Sequence, residues 1–227
     1  MAIVKKYKSG VEEVVNPLPG IYTITFSSNK KFRYKPGQFL HIALDEYDGM
    51  GQWPESRCFS MQSNPGEEEI VISYAVKGRY TNRMAKELIP GKEVWLKLPY
   101  GDIFDRGHPK NNCVFIAGGT GITPFLSLFT DNSFPEYISP RLYLGVRTKE
   151  HNIFNEELER AKKINDGFSI NIVIQDKEGI LNIEKIHNDN PFSVFFISGP
   201  LVMIKYFKNY LLGHNVPSDK ILTDDWE

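Results

Sequence analysis

Short hydrophobic runs separated by turn residues dominate the first hundred residues of the chain. The runs are rich in β-branched and aromatic residues, and turn pairs such as Pro36-Gly37 and Pro90-Gly91 lie between them. Short strands at this spacing predict a small antiparallel β-barrel or sandwich. One helix is predicted over 82–88, with Thr81 as its N-cap and a stop before Pro90. The predicted strands are 21–26, 38–44, 69–76 and 93–98.

The pattern becomes an alternation of strands and helices from about residue 111. Such an alternation predicts a parallel sheet that is covered by helices on both faces. The polar segment 105–112 is the predicted linker, so we expect one domain over 1–108 and a second over 109–227. The predicted strands of the second domain are 113–117, 141–146, 169–174 and 193–198, and its predicted helices are 124–130, 153–164 and 201–212.

A glycine-rich loop over 117–124 lies between the first strand and the first helix of the second domain. Glycines let a backbone approach a pyrophosphate, and free N–H groups at a helix start attract an anion. Thr123 fits the N-cap of the helix that follows, and Pro124 fits its first position. A glycine string also occurs in tight strand-to-helix turns, but this context favours dinucleotide binding.

Two segments of the first domain carry candidate cofactor chemistry. Arg57-Cys58-Phe59-Ser60 offers a guanidinium for a phosphate, an aromatic face for a flat ring and a hydroxyl for a ring nitrogen. Taken alone, this segment more often describes a surface arginine and a core phenylalanine. The segment 77–81 offers a glycine and a hydroxyl at a helix start, which suits an anion or a plain capped turn.

Composition excludes several other functions. The 27 basic and 28 acidic residues give a net charge of −1, which excludes a polybasic wrap around nucleic acid. Cys58 and Cys113 are too few for a cysteine-built zinc site or iron–sulfur cluster, and the five histidines show no metal-ligand spacing. Because no secretory signal and no membrane-length apolar run is found, we expect a cytoplasmic protein without a nucleic-acid or membrane partner.

The order of these motifs along the chain resembles the ferredoxin–NADP reductase superfamily. An R-x-F-S segment, a G-x-x-T helix start, the GGTGITP loop and a late Ser-Gly-Pro follow one another, and the resemblance covers nearly the whole chain. Two further segments match the family, P-G-Q-F at 36–39 and the barrel-closing loop at 99–104. The resemblance implies an N-terminal antiparallel β-barrel that binds FAD and a C-terminal Rossmann-like α/β domain with a parallel sheet that binds NAD(P).

The resemblance also implies which residues hold FAD. Arg57 would hold the flavin pyrophosphate, Phe59 would pack on the isoalloxazine, and Ser60 would lie beside flavin N5. Gly78 and Thr81 would hold the pyrophosphate from the helix start, which favours FAD over FMN. The complete set of expected FAD-binding residues is Arg57, Cys58, Phe59, Ser60, Tyr74, Ala75, Val76, Gly78, Tyr80, Thr81 and Trp226.

Residues of the second domain are implied in binding the nicotinamide dinucleotide. The loop 119–124 would hold its phosphates, Arg147 would reach its adenosine side, and the segment that starts at Ser198 would shape the nicotinamide pocket. Ser198 stands where many relatives have cysteine, which puts the rate of hydride transfer in doubt. The complete expected set is Gly119, Thr120, Gly121, Pro124, Arg147, Ser198, Gly199, Pro200 and Met203.

The last residues of the chain resemble the family's usual ending, which has an acidic residue, a spacer and an aromatic ring. Trp226 would stack on the flavin where the nicotinamide binds and would move aside during turnover. Asp224 would be a candidate for proton transfer. The alternative is a frayed tail with an exposed tryptophan. The expected catalytic residues are therefore Ser60, Asp224 and Trp226.

The implied activity is an FAD-dependent NAD(P)H reductase with a separate electron acceptor, such as a ferredoxin, a cytochrome, an oxygenase component or free flavin. Arg147 and Lys149 favour NADPH through its 2′-phosphate, whereas Asp176 would repel that phosphate, and we expect NADH. Basic residues within 5–8 and 30–33 are suited to docking an acidic ferredoxin or to simple solvation. An electron-transfer subunit of a larger complex and a non-catalytic nucleotide-binding module stay open as alternatives.

Overall fold

The computed structural model describes residues 3–224 of the 227-residue chain. Internal contacts divide the chain into two compact units, Met1–Asp102 and Ile103–Glu227. Each unit buries its own apolar side chains. Within residues 3–224, no helix is both long enough and apolar enough to cross a membrane.

Six antiparallel strands form the first unit. They are β1 (Lys5–Leu18), β2 (Ile21–Ser27), β3 (Phe39–Ala43), β4 (Ser56–Ser60), β5 (Ile70–Ala75) and β6 (Glu93–Tyr100). Their order in the sheet is β4-β3-β6-β1-β2-β5. The backbone N–H of Gln62, just after β4, donates to the carbonyl of Val71 in β5 at 2.8 Å, so the two edges of the sheet meet. The four predicted strands of this half are confirmed.

The hydrophobic pattern does not predict β1 and β4, and their side chains explain why. β1 carries three lysines among its first four residues and buries only Tyr7 there. β4 is a five-residue edge strand whose first two residues are Ser56 and Arg57, and none of its residues is fully buried. Both strands are held by pairing with their neighbours rather than by an apolar stripe of their own.

Helix α1 (Arg79–Glu87) covers the first unit's core and contributes the buried side chains of Tyr80 and Met84. It begins three residues before the predicted start, and its N-cap is Gly78. The prediction of Thr81 as N-cap is therefore wrong. Thr81 is the third helical residue, and its hydroxyl accepts from the backbone N–H groups of Lys77 and Gly78 at 2.9 and 3.0 Å. This arrangement stabilises the turn before the helix.

Five parallel strands form the sheet of the second unit. They are β7 (Cys113–Gly118), β8 (Arg141–Val146), β9 (Ser169–Ile174), β10 (Val194–Ser198) and β11 (Ile221–Thr223), in the order β11-β10-β7-β8-β9. The helices are α2 (Thr123–Phe129), α3 (Asn155–Ile164), α4 (Gln175–Glu178), α5 (Ile183–Asp189) and α6 (Leu201–Gly213). The four predicted strands and three predicted helices of this half are confirmed. The additional elements α4, α5 and β11 are too short to produce a clear periodicity.

The start of α2 also differs from the prediction. A 3-10 turn over Gly119–Ile122 separates β7 from α2, and Ile122 is the N-cap of the helix. Thr123 is the first helical residue and Pro124 the second, so the prediction of Thr123 as N-cap and Pro124 as the first position is wrong. The Thr123 hydroxyl donates to the carbonyl of Thr120 at 3.0 Å, which ties the helix to the preceding turn.

The central strands of the second unit are apolar on both faces, as expected for a covered parallel sheet. Every residue of β7 from Cys113 to Ala117 is buried, and Phe115 stacks on Phe196 of β10 with ring centroids 4.9 Å apart. The chain runs from β7 outward through β8 and β9, and then returns to the other side of β7 as β10. The strand order therefore reverses between β7 and β10, where open α/β sheets bind ligands at the strands' carboxyl ends.

Candidate functional site

The point of reversal carries a glycine loop on each side. β7 and β10 pair in parallel with Ala117 opposite Ser198, so both strands end at the same edge of the sheet. β7 continues into Gly118–Gly121, and β10 continues into Ser198–Gly199. The structure thus brings together two predicted segments that lie far apart in the sequence.

Three of these glycines are required because the two loops are in contact. A Cβ added to Gly121 would lie 2.4 Å from the Cα of Gly199 and 2.8 Å from the carbonyl oxygen of Ser198. A Cβ on Gly118 would lie 2.8 Å from Cδ of Pro200, and one on Gly199 would lie 3.0 Å from the nitrogen of Gly118. These glycines let one loop pack closely on the other at this edge of the sheet.

Gly119 differs from the other glycines of the loop. Its φ is +55°, and a Cβ added there would meet no atom within 4 Å. The positive φ favours glycine because an L side chain is strained in that region. The open space beside Gly119 is therefore the place in this loop where a ligand can approach the backbone closely.

Ser198 and Asp224 form a polar pair beside the same loops. The Ser198 side chain is buried, and its hydroxyl donates to Oδ2 of Asp224 at 3.2 Å. The backbone N–H of Asp224 donates to the carbonyl of Ile197 at 3.0 Å, which fixes the carboxylate next to the end of β10. A residue predicted to transfer a proton and a residue predicted to shape the nicotinamide pocket are thus hydrogen-bonded. Trp226 lies outside the described residues.

Arg147 and Asp176 lie at the carboxyl ends of two neighbouring strands, β8 and β9. Both side chains are exposed. The backbone N–H of Asp176 donates to the Arg147 carbonyl at 3.1 Å, so the two residues are neighbours at this edge. Lys149 follows in a 3-10 turn and is also exposed. One acidic and two basic side chains therefore lie along this edge of the sheet.

The first unit holds its predicted residues around the edge strand β4 and the start of α1. The guanidinium of Arg57 lies 5.1 Å from the centroid of the Tyr80 ring and donates to the carbonyl of Ser56 at 2.8 Å and to Oε1 of Glu55 at 3.2 Å. Tyr80 is buried, and its hydroxyl donates to the carbonyl of Ile42 at 2.7 Å. Arg57 therefore lies over a rigid aromatic ring at the start of the helix.

An aromatic group adjoins this cluster. Tyr74 of β5 lies between Phe59 and Tyr22, with ring centroids 5.6 Å from each. The Tyr74 hydroxyl is buried and has no hydrogen-bond partner among the described residues. Burial raises the pKa of Tyr74 above its usual value, so the hydroxyl is neutral. A buried hydroxyl without a partner is uncommon and marks a position where a ligand can supply one.

The remaining predicted residues of this unit have smaller roles in the geometry. Ser60 ends β4, and its hydroxyl makes no hydrogen bond within residues 3–224. Cys58, on the same strand, is half-buried and forms no disulfide within residues 3–224. Ala75 ends β5, and the backbone N–H of the next residue, Val76, donates to the Gly20 carbonyl at 2.8 Å.

Sequence reasoning missed two charged residues in this cluster, Arg79 and Glu55. Nη2 of Arg79 donates to both carboxylate oxygens of Glu55, at 2.7 and 2.9 Å. Arg79 lies inside the segment 77–81 that was considered as an anion site, so its charge is the signal that finds it. Glu55 has no comparable signal because it lies in a loop, where no regular spacing relates it to Arg79, 24 residues further along the chain.

Comparison with known proteins adds information on both units. Residues 115–209 match the family model described as the oxidoreductase NAD-binding domain. A glycine betaine monooxygenase reductase subunit from Pseudomonas aeruginosa is 28% identical over 202 residues, which cover 81% of this chain and 53% of that protein. A propane 2-monooxygenase reductase component from Mycolicibacterium goodii is 28% identical over 220 residues, which cover 86% and 60%. The chain spans between half and two thirds of the length of these relatives.

The fold has a counterpart that covers nearly the whole chain. A ferredoxin NADP+ reductase from Neisseria gonorrhoeae, solved with bound FAD and NADP, aligns over 99% of both chains with a TM-score of 0.79 and 21% identity. This chain has an antiparallel β unit followed by a five-stranded parallel sheet, and its match to the oxidoreductase NAD-binding domain lies in the second unit. This chain therefore shares the two-domain fold of that reductase, and its residues 115–209 match the oxidoreductase NAD-binding domain. The predicted fold class is confirmed.

Proposed function

We propose that the protein is an FAD-dependent NAD(P)H reductase that delivers electrons to a separate acceptor. The observation that carries the proposal is the pair of glycine loops, Gly118–Gly121 and Ser198–Gly199, at the switch point of a sheet that matches an NAD-binding domain. The relatives from P. aeruginosa and M. goodii are reductase parts of monooxygenase systems, which supports the same role here. Residues 1–108 would form the FAD-binding domain and 109–227 the NAD(P)-binding domain.

The residues of the first unit fit FAD in charge and in hydrogen-bonding capacity. The Arg57 guanidinium is suited to a pyrophosphate, and Gly78 leaves open space at the N-cap of α1 because a Cβ there would meet nothing within 4 Å. The hydroxyls of Ser60 and Tyr74 have no partners among the described residues, so a bound ring can provide them. Phe59 supplies a flat apolar face beside Tyr74.

FAD, when bound, accepts hydride from NAD(P)H and releases electrons one or two at a time. The chain's own residues would bind the two cofactors, orient their rings and exclude water. Ser60 would donate its hydroxyl toward flavin N5, and Gly119 would let the nucleotide phosphates approach the loop. Ser198 and its partner Asp224 would line the nicotinamide pocket, with the Asp224 carboxylate able to hold or release a proton there. Trp226 would cover the flavin face and move aside.

We favour NADH as the donor. Asp176 is the second residue of α4 and lies beside the end of β8, and its carboxylate would repel a 2′-phosphate at this edge. Arg147 and Lys149 would act in the opposite direction, so the preference rests on the balance of these three exposed charges. Asp176→Ser should therefore shift the ratio of kcat/KM values toward NADPH. An unchanged ratio would remove Asp176 from the specificity argument.

The acceptor would be a separate oxygenase component, a ferredoxin or a small molecule. The two monooxygenase relatives are named as the reductase subunit and the reductase component of multi-protein enzymes. These names support a separate protein as the electron acceptor here. The preferred class of acceptor can be tested by comparing the reduction of ferricyanide, free flavin and an added ferredoxin under NADH. Reduction of none of the three by a flavin-loaded protein would contradict the proposed activity.

The first experiment is an absorbance spectrum of the purified protein after incubation with FAD and removal of the excess. Flavin bands that bleach on anaerobic addition of NADH or NADPH are the expected result, and the faster donor identifies the nucleotide. A colourless protein that takes up no FAD would overturn the proposal.

A matched pair of variants tests the flavin site itself. Arg57→Ala should weaken FAD binding about tenfold or more, because a charge-assisted bond to phosphate is lost. Arg33→Ala is the control, since Arg33 is an exposed arginine of the same unit outside the cluster. Circular dichroism verifies the fold of both. Equal FAD retention by the two variants would contradict the role of Arg57.

A further inference from the structure

Glu55 lies between two arginines at the predicted phosphate-binding position. Its Oε1 accepts from Nη2 of Arg57 at 3.2 Å and from Nη2 of Arg79 at 2.7 Å, and its Oε2 accepts from Arg79 at 2.9 Å. The Arg57 and Arg79 side chains are 52% and 77% exposed, and the Glu55 side chain is 32% exposed. One partly exposed carboxylate therefore pairs with both guanidinium groups, and the cluster of three side chains keeps a net charge of +1.

The backbone holds Glu55 in this position. The buried Tyr80 hydroxyl donates to the carbonyl of Ile42 at 2.7 Å and approaches the carbonyl of Glu55 at 3.3 Å. Tyr80 thereby ties the end of the 44–55 loop to strand β3 and to helix α1. The Arg57 guanidinium covers the ring of the same tyrosine. The backbone of Glu55 is thus held in place by Tyr80, and its carboxylate is held by the two arginines alone among the described residues.

The two guanidinium groups retain most of their donors. A guanidinium carries five N–H donors. Within residues 3–224, Arg57 donates to Glu55 and to the Ser56 carbonyl, and Arg79 donates only to Glu55. Carboxylate and phosphate oxygens present the same acceptor geometry to a guanidinium, so they compete for the same face. A pyrophosphate that reaches these arginines meets Glu55 already there.

We propose that Glu55 is an internal counter-ion that the FAD pyrophosphate displaces from Arg57 and Arg79, which makes Arg79 a second phosphate ligand and Glu55 a determinant of flavin affinity. This rests on the proposed flavin site. Glu55 keeps the two cations paired before the cofactor arrives, and its charge opposes any ligand that carries phosphate. It has no effect on the isoalloxazine ring itself. Glu55 therefore sets how strongly FAD is preferred over a flavin that lacks phosphate.

The test compares FAD with riboflavin, which has the same ring and no phosphate. Dissociation constants are measured by flavin fluorescence on the full chain at low and moderate salt. Glu55→Gln should lower the dissociation constant for FAD about twofold to fivefold, within the range that exposed charge pairs produce, and leave that for riboflavin unchanged. The FAD effect should shrink as salt is added. Glu93→Gln is the control, because Glu93 is an exposed carboxylate of the same unit paired with Lys8.

A second variant keeps the proposal testable if Glu55→Gln misfolds. Arg79→Gln, at a highly exposed position, should raise the dissociation constant for FAD severalfold and leave that for riboflavin unchanged. Weaker or equal FAD binding by folded Glu55→Gln, or unchanged FAD binding by Arg79→Gln, overturns the proposal while the flavin site stands. A wild-type protein that binds no FAD overturns the flavin site and this inference together.

Discussion

The contact between the two glycine loops makes Gly121→Ala a severe substitution. A Cβ at Gly121 would lie 2.4 Å from the Cα of Gly199, 2.6 Å from its nitrogen and 2.8 Å from the carbonyl oxygen of Ser198. All three are backbone atoms, so no side-chain rotation relieves the overlap, and the loops must separate by about 1 Å to restore ordinary contact. Overpacking costs about 1–3 kcal/mol, and we expect about 3 kcal/mol here. For a chain of this size, that lowers the Tm by about 6–12 °C.

Thermal unfolding followed by circular dichroism measures this effect. The matched control is Gly119→Ala, two residues earlier in the same loop, where a Cβ would meet nothing within 4 Å. Its φ of +55° costs alanine about 1–2 kcal/mol, so its Tm should fall by only about 2–8 °C. A Gly121→Ala protein with the wild-type Tm, or a larger fall for Gly119→Ala, would refute the packing of one loop on the other.

Three further predictions concern polar groups. Tyr74→Phe removes a buried hydroxyl without a partner among the described residues. In urea unfolding, the flavin-free variant should be as stable as the wild type or more stable by about 1 kcal/mol. A clear loss of stability would mean that the hydroxyl is hydrogen-bonded. Ser198→Ala removes the hydrogen bond to Asp224 and should lower the free energy of unfolding by about 1 kcal/mol. In an Asp224→Asn background, the same change should cost less. Equal costs in this double-mutant cycle would contradict the coupling of the two side chains. Burial, together with the nearby His214, lowers the pKa of His187. The unfolded chain therefore takes up the proton first as the pH falls below about 6.5, and stability declines in that direction. His187→Gln should reduce the fall in Tm between pH 7 and pH 5, and an unchanged slope would exclude this histidine.

Local patterns were sufficient for most strands and for the loop between β7 and α2. The run 113–117 is apolar without interruption and ends in glycine, so its length, its burial and its turn all point to a central strand. The parallel sheet follows from the alternation of such runs with helices. The edge strand β4 lacks this signal because none of its five residues is fully buried.

Helix starts were predicted less well, and the two threonines show the cause. Thr81 and Thr123 are both good N-cap residues, yet each lies inside its helix and bonds to the turn before it. A hydroxyl can serve either arrangement, and the choice depends on backbone angles that the residue type does not determine.

The candidate site was predicted in its parts and not in its contacts. The arginine of β4 and the glycines after β7 are local signals. The bonds of Glu55 to Arg79, and the fit of Gly121 against Gly199, join segments that only the folded chain brings together. The role of Gly121 in particular changes from leaving space for a ligand to leaving space for another loop. No periodicity in a single sequence carries such information.

The glycine contact also constrains when the nucleotide crevice can form during synthesis. β7, β8 and β9 leave the ribosome in the order in which they pair, so each can add to the strand before it. β10 must instead pair on the opposite side of β7, and it is made only after β8 and β9. Until it does, Gly121 has no surface to pack against. We therefore expect a nascent chain that stops short of β10 to have a glycine loop without a binding site, and nucleotide affinity to appear only after β10 has been made.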